Sequence, residues 1–244
     1  MLYMKYCKNT NNYTDYDAYF QNEFEHMKQL ESLMEQQGVS DLYKNLFPYY
    51  DSYGYTEEGT PYICMEYIPG NTLEQRLCNK IPSSKQLKPL LYKHQILHLY
   101  EQLNDAFYWL YQVGIIYLDL SPENIIVLND NYDIKLIDFT HCYYLNSDTP
   151  YHCIDERLDS NLPICMQLRN AAALLFSRLF YSGNTHYNEY FSYASNNRIF
   201  FRDNYGSLLN FLFSPEDEES IFFDNEFSLI EWQKWYQLLL KSFK

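Results

Sequence analysis

Glycine is scarce in this sequence. There are seven in 244 residues, and none are grouped as GxGxxG. A loop that wraps phosphates through closely spaced glycine backbone is therefore missing from the residues in hand. Cations are few as well: 18 Lys and Arg face 32 Asp and Glu, for a formal net charge of -14. That balance repels a phosphate backbone, so no nucleic-acid partner is expected, although a local pocket for one nucleotide is compatible with it. No long apolar run occurs. The longest, residues 171–181, contains Ser177 and Arg178 and is far shorter than the ~20 residues of a membrane helix, so no membrane partner is expected. The opening MLYMKYCKNT has no continuous apolar region and does not read as a signal peptide. A cytoplasmic location is the expectation, with secretion by a route lacking a cleaved signal left open. Cysteines stand at 7, 64, 78, 142, 153 and 165 with no CxxC pair, which fits small apolar residues in a reducing compartment. His141-Cys142 and His152-Cys153 offer possible zinc ligands, but adjacent ligands at this spacing match no standard pattern, and they read as loop residues.

What is present is an ordinary globular balance, 47% apolar and 20% charged, in a chain long enough for one large domain or two lobes. The many tyrosines are spread along the whole length. Residues 1–7 read as a strand. Residues 18–36 carry Phe20, Phe24, Met27, Leu30 and Met34 at helical spacing, with Gly38 suited to the helix end. Residues 51–61, with Gly54 and Gly59, read as turn material between strands. Residues 62–68 read as a strand closed by Pro69-Gly70, and residues 72–77 as a short helix. Residues 95–113 form a long amphipathic helix ended by Gly114. The apolar runs 125–128 and 134–137, separated by NDNYD, read as a hairpin. Loop composition fills 140–162. Helices are expected over 166–180 and 227–243, and Glu216–Glu219 reads as a solvated acidic run. No internal repeat is visible. The pattern is α+β, with a lobe boundary at the Pro-Gly connector: residues 1–68 form one lobe and residues 69–244 the other.

The chemistry concentrates in IIYLDLSPENIIVLNDNYDIKLIDFTHC, from Ile115 to Cys142. A helix delivers the chain to Asp119. Asn124 follows in a turn fixed by Pro122, and the hairpin then returns Asp138. Phosphoryl transfer needs such a set: one carboxylate to orient the attacking hydroxyl, and hard oxygen donors to hold Mg²⁺ on the phosphates. Here the sequence resembles the protein kinase family, of the bacterial Ser/Thr type with a shortened N-lobe. Asp119-Leu120-Ser121-Pro122-Glu123-Asn124 is similar to the catalytic loop, and Asp138-Phe139-Thr140 to the Asp-Phe-Gly metal motif. The resemblance implies a two-lobed kinase fold with a reduced N-lobe and a mainly helical C-lobe, with ATP and Mg²⁺ as cofactors and a protein substrate or partner. It implies Asp119 as base and Asn124 and Asp138 as metal ligands. Tyr3-Met4-Lys5 resembles the family's phosphate-binding Lys strand, and Glu23 its partner, with Glu25 as the competing choice. YICMEYIPG, residues 62–70, resembles the hinge. There Met65 gates the back pocket, Glu66 and Ile68 offer backbone to adenine, and Ile126 lies beneath the base. Met27, Tyr117 and Phe139 form an internal spine.

The sequence departs from the family in places. Tyr3 stands where a small residue is usual. Tyr117 replaces His. Leu118 replaces the Arg that receives a loop phosphate, which speaks against that form of control. Ser121 replaces a Lys near the transferred phosphate, and Thr140 replaces Gly. Glu156 and Gln167 match the family's supporting acidic positions only loosely. Three readings follow: an active phosphotransferase acting on Ser/Thr hydroxyls, a pseudokinase that binds nucleotide or protein, and a small-molecule kinase of the aminoglycoside or choline type. The retained Lys5, Glu23, Asp119, Asn124 and Asp138 favour the first.

Overall fold

A computed structural model describes residues 1–6, 13–78, 89–140 and 142–145, together with 171, 175, 176, 178–180 and 237; the side chains of 13–16 are not included. Strand β1 (Leu2–Tyr6) is followed by helices α1 (Tyr13–Gln36) and α2 (Ser40–Leu46), then by strands β2 (Tyr50–Tyr55) and β3 (Pro61–Glu66). These three strands form one antiparallel sheet in the order β1-β3-β2. In β3 the burial alternates strictly, with Pro61, Ile63 and Met65 inward, the period of a half-buried strand. Phe20, Met27, Leu30 and Met34 of α1 are buried at the helical spacing read from the sequence. Their stripe covers the sheet.

The first lobe differs from expectation in three places. The helix begins at Tyr13 rather than Ala18. Helix α2 was not anticipated, because its seven residues are too few to show a period. Residues 51–55, read as turn material, belong to strand β2, and only the stretch around Gly59 turns. Their glycine and polar residues disguised a strand whose partner supplies the apolar face. Between Tyr50 and Ser52 the register against β3 shifts, a bulge that re-aims side chains. Tyr50 is completely buried there.

After the connector come β4 (Asn71–Thr72), α3 (Leu73–Cys78), α4 (Lys93–Gln112), β5 (Ile115–Ile116), a 3₁₀ turn (Pro122–Asn124), β6 (Ile125–Val127), β7 (Ile134–Leu136) and β8 (Tyr143–Tyr144). The expected hairpin forms as β6 and β7, paired Ile125↔Leu136 through Val127↔Ile134. Helix α4 holds it by two glutamines. Gln95 Oε1 accepts from the Tyr92 N–H at the helix start while its Nε2 donates to the Asp130 carbonyl, both at 3.0 Å. Gln102 donates to the Tyr132 carbonyl and accepts from the Ile134 N–H, both at 2.9 Å. Gly114 (φ +77°) ends α4 and lets the chain turn directly into β5, which pairs with β8.

Gly70 marks the closest approach in the connector. A Cβ there would lie 2.7 Å from Ile126 Cγ2 and 2.7 Å from the Val127 carbonyl. Gly70→Ala is therefore expected to push β4 off β6 and cost about 1–3 kcal/mol, the range of overpacking. Urea unfolding measures this as a lower midpoint at constant slope.

Of residues 166–180, Ala171, Leu175, Phe176 and Arg178 are helical, and Gln237 is helical within 227–243. The expectations resting on Cys7, His141, His152, Cys153, Glu156, Cys165, Gln167 and Glu216–Glu219 lie outside the described residues. Among the described residues no helix is long and apolar enough to cross a membrane.

Candidate active site

Lys5 lies in β1 and Glu23 in α1, and the fold brings them together. Lys5 Nζ lies 2.7 Å from Glu23 Oε2 and 2.7 Å from Asp138 Oδ1. It also donates to the hydroxyl of Thr140. Glu23 is fully buried. Its second oxygen accepts from the Tyr50 hydroxyl at 2.7 Å, and Oε2 accepts from the Thr140 hydroxyl at 2.6 Å. A buried carboxylate needs such compensation. Burial disfavours the charge on Lys5, but Glu23 and Asp138 outweigh it and the ammonium pKa is raised. Burial and the Glu23 charge likewise push the Tyr50 hydroxyl well up, so it stays a donor. Glu25 is exposed and is bonded to Gln21, so Glu23 is the partner of Lys5.

The segment from Asp119 to Asn124 is knitted by backbone to the segment that leads into Asp138. The Asp119 carbonyl accepts from the Ser121 N–H at 2.7 Å and from Asn124 Nδ2 at 3.1 Å. The Asn124 carbonyl accepts from the Ile137 N–H at 3.0 Å. Pro122 starts the 3₁₀ turn, where its missing N–H costs nothing, and the Ser121 hydroxyl caps it by accepting from the Glu123 N–H. Asp138, directly after Ile137, has φ +62°. That left-handed conformation costs a non-glycine residue about 1–3 kcal/mol and is typical of functional positions. In that conformation its Oδ1 accepts from Lys5 Nζ. The fold thus brings Asp119 and Asn124 together in one turn, and joins that turn to Asp138 through Ile137.

Met27, Tyr117 and Phe139, expected to form a spine, are all buried. The rings of Tyr117 and Phe139 lie 5.2 Å apart, and Phe47, which the sequence did not single out, lies 6.1 Å from Phe139. The Tyr117 hydroxyl donates to the Ile137 carbonyl at 2.6 Å, a bond that ties Tyr117 to the residue before Asp138 and gives its hydroxyl a structural use. Leu118 is buried, packed in the core rather than presented to solvent.

At the connector, Met65 and Ile126 are buried, and Glu66 and Ile68 are half-buried. The Glu66 N–H donates to the Tyr49 carbonyl at 2.7 Å. Its side chain accepts from Lys135 Nζ at 2.7 Å, an ion pair that ties β7 to the end of β3. Tyr3 is exposed. Four contributors escaped the sequence reading: Phe47, Tyr50, Lys135 and the hydroxyl role of Thr140. Only Thr140 carried a signal, its place beside Asp138-Phe139.

Residues 3–158 match the protein kinase domain family, and the chain belongs to that family. Over 89 residues it is 35% identical to a protein named "Probable serine/threonine-protein kinase" from Dictyostelium discoideum, a match covering 35% of this chain and 9% of that protein. Over 96 residues it is 32% identical to myosin light chain kinase 3 of Homo sapiens, covering 39% of this chain and 11% of that protein. Over 93 residues it is 32% identical to the serine/threonine-protein kinase PknG of Mycolicibacterium smegmatis, covering 37% and 11%. The matched stretch is thus about a tenth of each relative's length. The crystal structure of the Mycobacterium tuberculosis PknI kinase domain aligns with a TM-score of 0.53 at 14% identity, covering 99% of this chain and 85% of that one. That likeness establishes the kinase-like α+β fold.

Proposed function

We propose that this chain binds ATP with Mg²⁺ and transfers the γ-phosphate to a Ser or Thr hydroxyl of a protein substrate. The observation that carries the reading is the pairing of half-buried Lys5 with fully buried Glu23, with Lys5 Nζ also 2.7 Å from Asp138 Oδ1, an ammonium fixed by carboxylates where a polyphosphate needs a cation. Residues 1–68 and 69–244 are the two lobes in this reading, and the nucleotide lies between them. Met65, the Glu66 carbonyl and Ile68 border adenine, with Ile126 beneath it. Ser121 faces the phosphate being transferred. Asp119 accepts the proton of the attacking hydroxyl as the bond to phosphorus forms.

The donor set suits magnesium. Asn124 and Asp138 offer hard oxygens, and because Asn124 Nδ2 is committed to the Asp119 carbonyl, its Oδ1 is directed away as an acceptor. Held there, Mg²⁺ supplies charge neutralisation on the phosphates. A cytoplasmic location and a protein partner belong to the same reading.

ATP with Mg²⁺ at about 100 times its Kd should stabilise the chain by roughly 2.7 kcal/mol, read as a rise in Tm. Asp138→Ala should abolish the rise. No shift of the unaltered chain at millimolar nucleotide rules the reading out.

A further inference from the structure

Lys5 has three ammonium protons, and three oxygens take them: Glu23 Oε2, Asp138 Oδ1 and Thr140 Oγ1. Thr140 is not a passive member of that set. It is buried at 2% exposure, and its own proton goes to Glu23 Oε2 at 2.6 Å. One hydroxyl therefore accepts from the cation and donates to the anion of the same pair. It joins α1 to the loop after Asp138, across 117 positions of sequence. Tyr50 holds the other oxygen of Glu23, so the carboxylate cannot rotate without losing a partner on each side.

We propose that Thr140 is a positioning residue for nucleotide binding, acting through Lys5. It fixes the ammonium between Glu23 and Asp138 before nucleotide arrives. It is also the only uncharged one of the three acceptors, and so the one that yields a Lys5 proton to an incoming phosphate oxygen at least cost. A glycine at this position would supply neither function. The inference rests on the ATP-binding reading above and adds a specific residue to it.

The test is the Kd of ATP in the presence of Mg²⁺, measured by isothermal titration, with the nucleotide-free Tm recorded alongside. The chain with its own sequence is compared with Thr140→Val, which keeps the shape and loses the hydroxyl, and with Thr140→Ser, which keeps the hydroxyl. Thr140→Val should weaken ATP about ten- to hundredfold, the worth of a hydrogen bond to a charged group, and Thr140→Ser should bind close to the unaltered chain. Equal ATP affinity in Thr140→Val overturns the inference, even if its Tm falls, because a merely structural threonine moves Tm alone. Equal weakening in Thr140→Ser and Thr140→Val also overturns it. If Thr140→Val does not fold, Thr140→Ala, which buries no extra methyl against the carboxylate, takes its place under the same criteria. If the unaltered chain itself binds no ATP, the proposed function fails and takes this inference with it. Binding by the unaltered chain with no effect of the hydroxyl fails this inference alone.

Discussion

Asp119→Asn should lower phosphate transfer to a generic acceptor such as casein by about 10²–10⁴, the usual worth of a positioned general base, while ATP affinity stays near that of the unaltered chain. The separation follows from how the turn is built. The Asp119 backbone is held by its carbonyl, which accepts from Ser121 and Asn124, and by the buried Leu118 and Leu120 on either side. None of these holds depends on the carboxylate, so they persist in the substituted chain, which loses a proton acceptor. Asp138→Ala should behave differently. It takes away one acceptor of Lys5 and a hard oxygen donor together, so nucleotide binding itself should collapse. Radiolabel transfer and equilibrium binding, measured on both variants, separate the two roles. Transfer by Asp119→Asn at the original rate places the base on another residue. Equal loss of binding in both variants means that the turn, rather than the chemistry, has been damaged.

The parts of this site that could be read from sequence are those with local causes. Pro122 and Asn124 follow Asp119 within one turn, and the β6–β7 hairpin is written in two apolar runs around NDNYD. The α1 stripe is periodic, so its buried face can be placed from the sequence, whereas Glu23 was singled out by the family resemblance. Lys5 needed the family resemblance, since one lysine in a short strand has no local signature. The rest was hidden by sequence distance. Thr140 meets Glu23 from 117 positions away, Lys135 meets Glu66 from 69 and Arg178 meets Glu74 from 104. No spacing rule links residue types as common as these. Tyr50 was hidden differently. It begins β2, directly before a stretch whose glycine and polar residues imitate a turn, at the point where the register against β3 shifts. Side chains that set local geometry can thus be read along the chain, whereas those that position one element against another require the pairing of elements first.

Arg178→Met should destabilise the chain by about 3–5 kcal/mol, the cost of leaving one member of a buried ion pair without the other. Arg178 is completely buried. Its guanidinium meets Glu74 in fork geometry, Nε to Oε2 at 2.8 Å and Nη2 to Oε1 at 2.7 Å, the strongest arrangement available to the pair. Glu74 is itself buried in α3, so water cannot replace the lost partner. Glu74→Leu alone should cost a similar amount, because it removes the carboxylate that neutralises the buried guanidinium. The double variant Glu74→Leu/Arg178→Met should recover most of the loss, since well-packed apolar groups often match a buried pair. Helix α3 packs against the Pro122–Asn124 turn and against β4, between the candidate catalytic turn and the connector. If the pair serves only to seat that helix, the double variant should also recover ATP affinity. Chemical denaturation of the four proteins, followed by nucleotide titration of the double variant, tests both statements. Single variants within about 1 kcal/mol of the parent, the size of a surface pair, would show that the two charges are solvated and that α3 is held by its apolar face alone.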